Sequence, residues 1–517
     1  MTYSKILENK LIVIFVIPLF LGCITVFGFQ PFNFTIINFF CLSSLFLIIA
    51  FVNKKLKSRY RKKTYLIYFF FIGYFFGIGF FLTGTFWISN SLKFDENLSF
   101  LIPFSIIGIP IFLGIFSGLT CLVIGSYIKN NFQSLILFST SLAINDYLRS
   151  IVLTGFPWNL WAYSWSWSNE SLQSLNIFGL HGFNLLTLIF FCLPALFFNK
   201  DFEKKLQLAF VLVILIFSFF IYGSFKINSN KNLLNNDLKS INIKVISPGF
   251  DLNYDFSDEN LENLTSNLIK YSNPEKNKNT IFIWPEGVFA GFYFSEILKI
   301  KEKIYKNFSN KHLIILGINT RDEALKKTYN SLLVLNNNLE VIYRYNKKKL
   351  VPFGEYIPFK KLLNSVGLKK LTYGYDTFSK GEKMKNFFLG DLSLLPLICY
   401  EIIFPKLVQK SDLSTNLIVN ISEDAWFGSS IGPAQHFAKA KFRAIENNNY
   451  LVRSANKGYS AIISNTGEVL KSLKPSEIGS IEIQIPLEQR GQRNKNDLIF
   501  LLLLITNISI FLILQKK

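Results

Sequence analysis

The sequence predicts a multi-span α-helical membrane domain of about eight transmembrane helices joined to an α/β sheet domain. Long apolar stretches crowd the chain up to residue 225 and return once near the C-terminus. Short basic runs separate alternate stretches. Between the last two stretches, residues 226–496 change character: short apolar runs bounded by turn residues alternate with helical patterns.

Composition narrows the classes. Half of the 517 residues are hydrophobic and 56 are Phe, unevenly spread. The net charge of +21 raises nucleic acid as a partner. Many lysines, however, fall between apolar segments, where they orient a membrane protein, so no nucleic-acid partner is expected. Five cysteines without CxxC spacing argue against a zinc site or a disulfide framework. The three histidines, His181, His312 and His436, are far apart in sequence, so a His-based metal site is not expected.

The apolar stretches lie near 11–29, 34–53, 64–86, 99–127, 132–150, 173–197, 207–225 and 497–514. A helix needs about 20 apolar residues to cross the hydrocarbon core. The fifth stretch is the weakest, because Asp146 and Arg149 fall near its end. The first could be a signal peptide, but more spans follow at once, so it reads as an uncleaved helix. Basic runs at 53–63, 128–131, 199–205 and the C-terminal "QKK" all fall on the cytoplasmic side if the N-terminus is inside. The Trp- and Tyr-rich loops "LTGTFWISNSLKFDENL" and "LTGFPWNLWAYSWSWSNE" then fall outside. The domain boundaries follow: 1–225 with seven helices, 226–496 outside the cytoplasm, and 497–517 as a final helix and tail.

In the outer domain, "IFIW" (281–284), "HLIILGI" (312–318), "NSLLVLN" (330–336), "LPLICY" (395–400), "NLIVNIS" (416–422) and "SAIIS" (460–464) read as strands. "GPAQHFAKAKFRAIENN" (432–448) reads as a helix.

Three stretches end apolar strands in polar residues: "IWPEGVF" with Glu286, "YRYNKKKLVPFGEYIP" with lysines 347–349 and Glu355, and "LICYE" with Cys399 and Glu401. Cys399 is the only cysteine outside the long hydrophobic stretches that hold Cys23, Cys41, Cys121 and Cys192. A thiol becomes a nucleophile only as thiolate, so it needs a base or a cation nearby. A carboxylate can take the proton, and an ammonium can stabilise both the thiolate and an oxyanion. Taken singly, each residue has a plainer reading: a small buried hydrophobe, a solvated turn residue, a solvated lysine face. The combination carries the inference.

The order Glu…Lys…Cys inside "WPE", "YNKxxLVPFGE" and "CYE" resembles the nitrilase (carbon–nitrogen hydrolase) superfamily. With spans on both sides it is similar to the apolipoprotein N-acyltransferase family. The likeness covers nearly the whole chain, through "PFNF" (31–34), "GFFLTGTFW" (79–87), "GFPWN" (155–159), "SEDAWFG" (422–428), "GPAQH" (432–436) and "RSANKGYSAIIS" (453–464). Two stretches depart from the family pattern. "IKVISPGFDLNYDF" lacks "QGN…KW", and Glu423 stands where Asn is usual.

The resemblance implies a nitrilase-like αββα sandwich with Glu286 as general base, Lys347 as the triad lysine and Cys399 as nucleophile. Lys347 is chosen because the family's lysine stands eight positions before the Glu of "PFGE", here Glu355. Glu355 is implied to orient the lysine, with Tyr400 and Glu401 in support and Trp284, Trp426 and Phe427 as substrate contacts. The implied reaction moves an acyl chain from a membrane phospholipid to the α-amine of diacylglyceryl-cysteine on an apolipoprotein, through a thioester. The enzyme is expected to be a monomer in the bacterial inner membrane, with its catalytic domain on the periplasmic side and no metal or diffusible cofactor. The alternatives are a membrane-tethered amidase with the same triad and a transporter with a binding domain. A transporter would want charged residues deep in its spans, and these are scarce here.

Overall fold

The computed structural model describes residues 9–59, 65–199, 205–233, 239–358, 377–409, 414–488 and 496–515. The basic residues at 60–63, 200–204 and 516–517 lie outside them. The chain forms two compact units. The first comprises Met1–Ser89, Phe100–Lys226 and Asn494–Lys517, and the second Ile227–Arg493 together with Asn90–Ser99. That short segment, assigned from sequence to the membrane domain, belongs to the second unit.

Each of the eight apolar stretches coincides with a helix. Six described helices are long and apolar enough to cross a membrane: Ile36–Lys55, Leu66–Phe94, Glu96–Tyr127, Leu175–Phe198, Ala209–Asn230 and Asn496–Gln515. Ile12–Gly28 is apolar but shorter. Phe132–Ile151 is long enough but carries the charged pair anticipated from its sequence. That pair is buried and joined: Arg149 Nη2 donates to Asp146 Oδ1 at 3.0 Å. Arg149 also donates to the Asn159 carbonyl at 3.3 Å, and the Asn184 amide donates to Asp146 Oδ2 at 2.9 Å. The charges therefore tie one helix to the "GFPWN" loop and to the helix carrying Asn184, which is how ionisable groups persist where water is scarce. Close helix packing has a sequence cause too. A Cβ added at Gly22 would meet the Phe76 carbonyl at 2.1 Å, and one at Gly79 the Leu19 carbonyl at 2.1 Å, so only glycine lets these two backbones touch.

Among the described residues, the second unit holds twelve strands. In chain order they are β1 (Ser240–Ser247), β2 (Thr280–Ile283), β3 (His312–Asp322), β4 (Lys327–Leu335), β5 (Val341–Asn346) and β6 (Phe387–Leu389). There follow β7 (Leu392–Ile398), β8 (Leu417–Glu423), β9 (Tyr450–Asn456), β10 (Ser460–Ile463), β11 (Val469–Leu473) and β12 (Gly479–Pro486). They form two six-stranded sheets, ordered β12-β1-β2-β3-β4-β5 and β11-β10-β9-β8-β7-β6. In each sheet three central strands, β1-β2-β3 and β7-β8-β9, run parallel, and antiparallel strands extend the edges.

Side-chain alternation makes the layers. Ile281, Ile283, Leu332 and Val334 of the first sheet meet Leu394, Ile398, Val419 and Ile421 of the second in one core. The intervening Phe282, Leu333 and Leu335 face the other way, into a second core with Leu261 and Leu268 of the helix Asp258–Ser272. The helix Gly432–Glu446 packs on β9. The result is a helix–sheet–sheet–helix sandwich. β2, β5 and β7 end just before Glu286, Lys347 and Cys399, so the candidate groups share one end of it.

Candidate active site

The candidate base follows β2, whose ladder continues one bond further as the Trp284 N–H donates to the Ile315 carbonyl at 2.8 Å. Gly317 on β3 lies beneath it. A Cβ there would stand 2.7 Å from Glu286 Cα, so any side chain would displace the base. Both carboxylate oxygens are engaged. Oε1 accepts from Asn330 Nδ2 at 2.7 Å and Lys347 Nζ at 3.3 Å, and Oε2 from the Glu423 N–H at 3.0 Å.

Lys347 is 1% exposed. Its backbone is pinned on both sides: its N–H donates to the Asn330 carbonyl at 2.8 Å, and Gly381 donates to its own carbonyl at 2.8 Å. Its ammonium donates to Glu355 Oε1 at 2.8 Å as well as to Glu286. Burial works against the charge, yet the Glu286 and Glu355 carboxylates outweigh it and hold the ammonium above the usual lysine range. Glu355 sits in a tight turn where Oε2 accepts the Val351 N–H at 2.8 Å, so its aim at Lys347 is fixed locally.

Cys399 is the first residue past β7 and opens the 3₁₀ turn Cys399–Ile403 with φ +47°. A left-handed conformation is strained for a residue with a Cβ and marks sites where surrounding structure dictates the backbone. Burial pushes the thiol well above its usual range, Glu286 adds to this and Lys347 opposes it. The resting group is therefore the thiol. It lies within the electrostatic reach of both partners, an arrangement suited to a proton handed over during attack.

Glu401 is a clamp. Its Oε2 accepts the Ile398 N–H at 2.9 Å. Its Oε1 accepts Lys348 N–H at 2.8 Å, Lys349 N–H at 3.0 Å and the Tyr345 hydroxyl at 2.8 Å. The end of β7 and the turn after β5 are thus held by one buried carboxyl. Tyr400 is buried beside the thiol and packs edge-on against Phe404 at 5.0 Å.

Behind the thiol lies a second buried cluster. Ser422 donates to Asp424 Oδ1 at 2.7 Å, and Arg453 Nη2 binds both Asp424 oxygens at 2.9 and 2.8 Å. Burial opposes the Asp424 charge, but Arg453 and His436 hold its carboxyl well below the usual range. Burial and Arg453 push His436 down to about 4. Glu423 behaves oppositely. Burial pushes its carboxyl well above the ordinary range, with the charges of Glu286 and Asp424 adding to the effect. Its Oε1 accepts the Ala425 N–H at 3.0 Å and its Oε2 the Asn456 amide at 2.9 Å.

Of the residues singled out from sequence, Glu286, Lys347, Glu355, Cys399, Tyr400 and Glu401 come together. Trp284 does not join them. It is 1% exposed in the outer core, its indole N–H donating to Ser272 Oγ at 3.0 Å, because position 284 continues the outward-facing set of β2. In this structure Trp284 has a packing role. Trp426 and Phe427 are half-buried in the turn after β8. Trp426 packs on Phe94 at 4.8 Å, and the Phe427 carbonyl accepts from Asn90 at 2.8 Å. Sequence reasoning missed Asn330, whose Nδ2 bridges Glu286 and, at 2.8 Å, Glu355 Oε1. It also missed the Asp424–His436–Arg453 cluster, whose members lie within quoted motifs but carried no local sign of meeting.

Comparison with known proteins adds the following. A family model described as "Carbon-nitrogen hydrolase" matches residues 263–495, and one described as "Apolipoprotein N-acyltransferase N-terminal domain" matches residues 21–193. A protein named apolipoprotein N-acyltransferase from Rickettsia typhi is 33% identical over 396 residues, covering 74% of this chain and 76% of its own. One of the same name from Allorhizobium ampelinum is 27% identical over 437 residues, covering 83% and 81%. The solved structure of Saccharomyces cerevisiae Nit3, a nitrilase-superfamily member, covers 49% of this chain and 92% of its own at 17% identity and a TM-score of 0.36.

Proposed function

The chain belongs to the apolipoprotein N-acyltransferase family, and on that premise we propose that Cys399 carries a fatty acyl chain from a membrane phospholipid to the α-amine of diacylglyceryl-cysteine at an apolipoprotein N-terminus. The protein is a multi-pass membrane acyltransferase of lipoprotein maturation. The membrane-tethered amidase is not favoured.

The reaction has two halves. Glu286 takes the Cys399 proton as the sulfur attacks an ester carbonyl of the phospholipid. The tetrahedral oxyanion is stabilised by the Lys347 ammonium and by a backbone N–H near Tyr400. The C–O bond breaks, Glu286 returns the proton to the departing oxygen, and a lysophospholipid leaves a thioester on Cys399. The apolipoprotein amine then attacks that thioester and gives its proton to Glu286. The C–S bond breaks, the thiol is restored and an N-acyl chain results. Glu355 and Asn330 hold the base and the ammonium in register. The basic runs between apolar stretches support a cytoplasmic-membrane location with the catalytic unit on the periplasmic side.

One observation carries the reading: the ammonium of Lys347 is shared between Glu286 and Glu355 while Glu286 and Lys347 both act on the Cys399 thiol. Incubation of purified enzyme with phospholipid should add the mass of one fatty acyl group to the Cys399 peptide. A diacylglyceryl peptide with a free α-amine should then remove it, and the N-acetylated peptide should not. An enzyme left unmodified by phospholipid would reject the scheme.

A further inference from the structure

Two lysines beside the site take no part in this reaction. Lys349 is half-buried. Its N–H donates to Glu401 Oε1 at 3.0 Å, and its ammonium stands 4.6 Å over the Phe404 ring, which packs against Tyr400 next to the nucleophile. Lys380 arrives from another segment. It precedes Gly381, which donates to the Lys347 carbonyl at 2.8 Å, and its ammonium stands 5.3 Å over the ring of Tyr356, next to Glu355. Tyr356 and Tyr400 are near enough to interact electrostatically, which brings the two ammonium–aromatic pairs into one neighbourhood.

The two cations also sense each other. Burial, then repulsion from Lys380, holds the Lys349 ammonium below the ordinary lysine range. Among the described residues neither ammonium has a carboxylate partner, although the neighbouring Lys347 has two. Two like charges on neighbouring aromatic faces, with no carboxylate paired to either among the described residues, are stabilised when an anion enters. Lysine suits a phosphate as a point charge with several donors. Of the two substrates, the donor always brings a phosphodiester. The acceptor brings an α-amine, which in its protonated form the pair repels.

We propose that Lys349 and Lys380 form the binding site for the phosphodiester of the acyl donor, next to the turns that carry Lys347 and Tyr400. The assignment rests on a phospholipid being the donor. It gives the donor a charged anchor next to the carbonyl to be attacked and leaves the acyl chain to apolar surface. It also separates the roles of adjacent lysines, Lys347 acting on the reacting atoms and Lys349 on the headgroup.

The test compares two acyl donors on the full-length enzyme in micelles: a phospholipid, and a 4-nitrophenyl fatty ester that lacks phosphate. In the Lys349→Gln/Lys380→Gln double variant, the ratio of kcat/KM for phospholipid to kcat/KM for the ester should fall at least about tenfold, mostly through KM. The Lys349→Arg/Lys380→Arg variant should restore it, which separates lost charge from a damaged fold. Glycerol phosphate should compete with phospholipid in wild type and lose that effect in the Gln variant. An unchanged donor ratio in the Gln variant would overturn the assignment, and would do so even if glycerol phosphate competed, since the site would then serve a free phosphate rather than the lipid. Wild-type enzyme acylated by the ester but by no phospholipid would overturn the donor reading and this site with it.

Discussion

Glu401 accepts the backbone N–H of Lys348 at 2.8 Å, so the turn after β7, which carries Cys399, and the turn carrying the candidate lysine share one buried carboxyl. The same side chain takes the N–H groups of Ile398 and Lys349 and the Tyr345 hydroxyl. Glu401→Gln keeps the shape but turns an NH₂ toward N–H donors. It should cost roughly 1–3 kcal/mol of stability and slow acylation of Cys399. Thermal unfolding and acyl-enzyme formation on the same preparation check this; an unaltered variant would mean the clamp is dispensable.

The thiol's ionisation should respond in opposite directions to its two neighbours. Glu286 raises it and Lys347 lowers it. At a fixed pH of about 8, the thiolate fraction, and with it the iodoacetamide alkylation rate at Cys399, should increase in Glu286→Gln and decrease in Lys347→Met. Mass spectrometry of the Cys399 peptide reads the rate. Reversed signs would mean that the charges do not face the sulfur as described.

Adjacent lysines should differ sharply. Lys347→Met removes the proposed oxyanion donor and should lower the acylation rate at least about 100-fold. Lys348→Met, which keeps the backbone N–H that Glu401 uses, should do far less. Single-turnover acylation with a phospholipid donor discriminates them, and an essential Lys348 beside a dispensable Lys347 would shift the triad by one residue.

In the membrane unit, Arg149→Leu strands the Asp146 carboxylate among apolar helices. Removing one partner of a buried pair typically costs about 3–5 kcal/mol, so the variant should express poorly or melt early in detergent. Arg149→Leu combined with Asp146→Leu should recover part of the loss. If the single variant is as stable as wild type, the pair is not a structural tie.

Reporter fusions after residues 60, 130 and 203 should read cytoplasmic, and fusions near 92, 165 and 300 extracytoplasmic. A cytoplasmic reading at 300 would contradict the placement of the catalytic unit.

The strands bearing the chemistry were legible because each is a dense apolar run cut short by a polar residue, as in "IFIW" and "LPLICY". The edge strands were not. The burial of β11 is almost wholly exposed along its length, so its sequence lacks the apolar signal, and its partner comes from pairing the sequence does not print. Asn330 was invisible for a related reason. A polar residue at the start of "NSLLVLN" reads as a strand boundary, and only the register that sets β4 against β5 puts it between two glutamates. Trp284 adjoins the Pro285–Glu286 step in sequence, while strand alternation sends its side chain to the opposite face. The fifth span looked doubtful for its charges until their partners, Asn159 and Asn184, were in place.

The pairing of β1 with β12 sets Ser240 opposite Pro486. The chain thus enters and leaves the sandwich at one spot, at the end away from Glu286, Lys347 and Cys399. A fold whose ends meet is what an insertion into a pre-existing loop requires, since it can be added without prising that loop apart. Modularity of this kind lets the join drift in length and composition while the chemistry stays untouched.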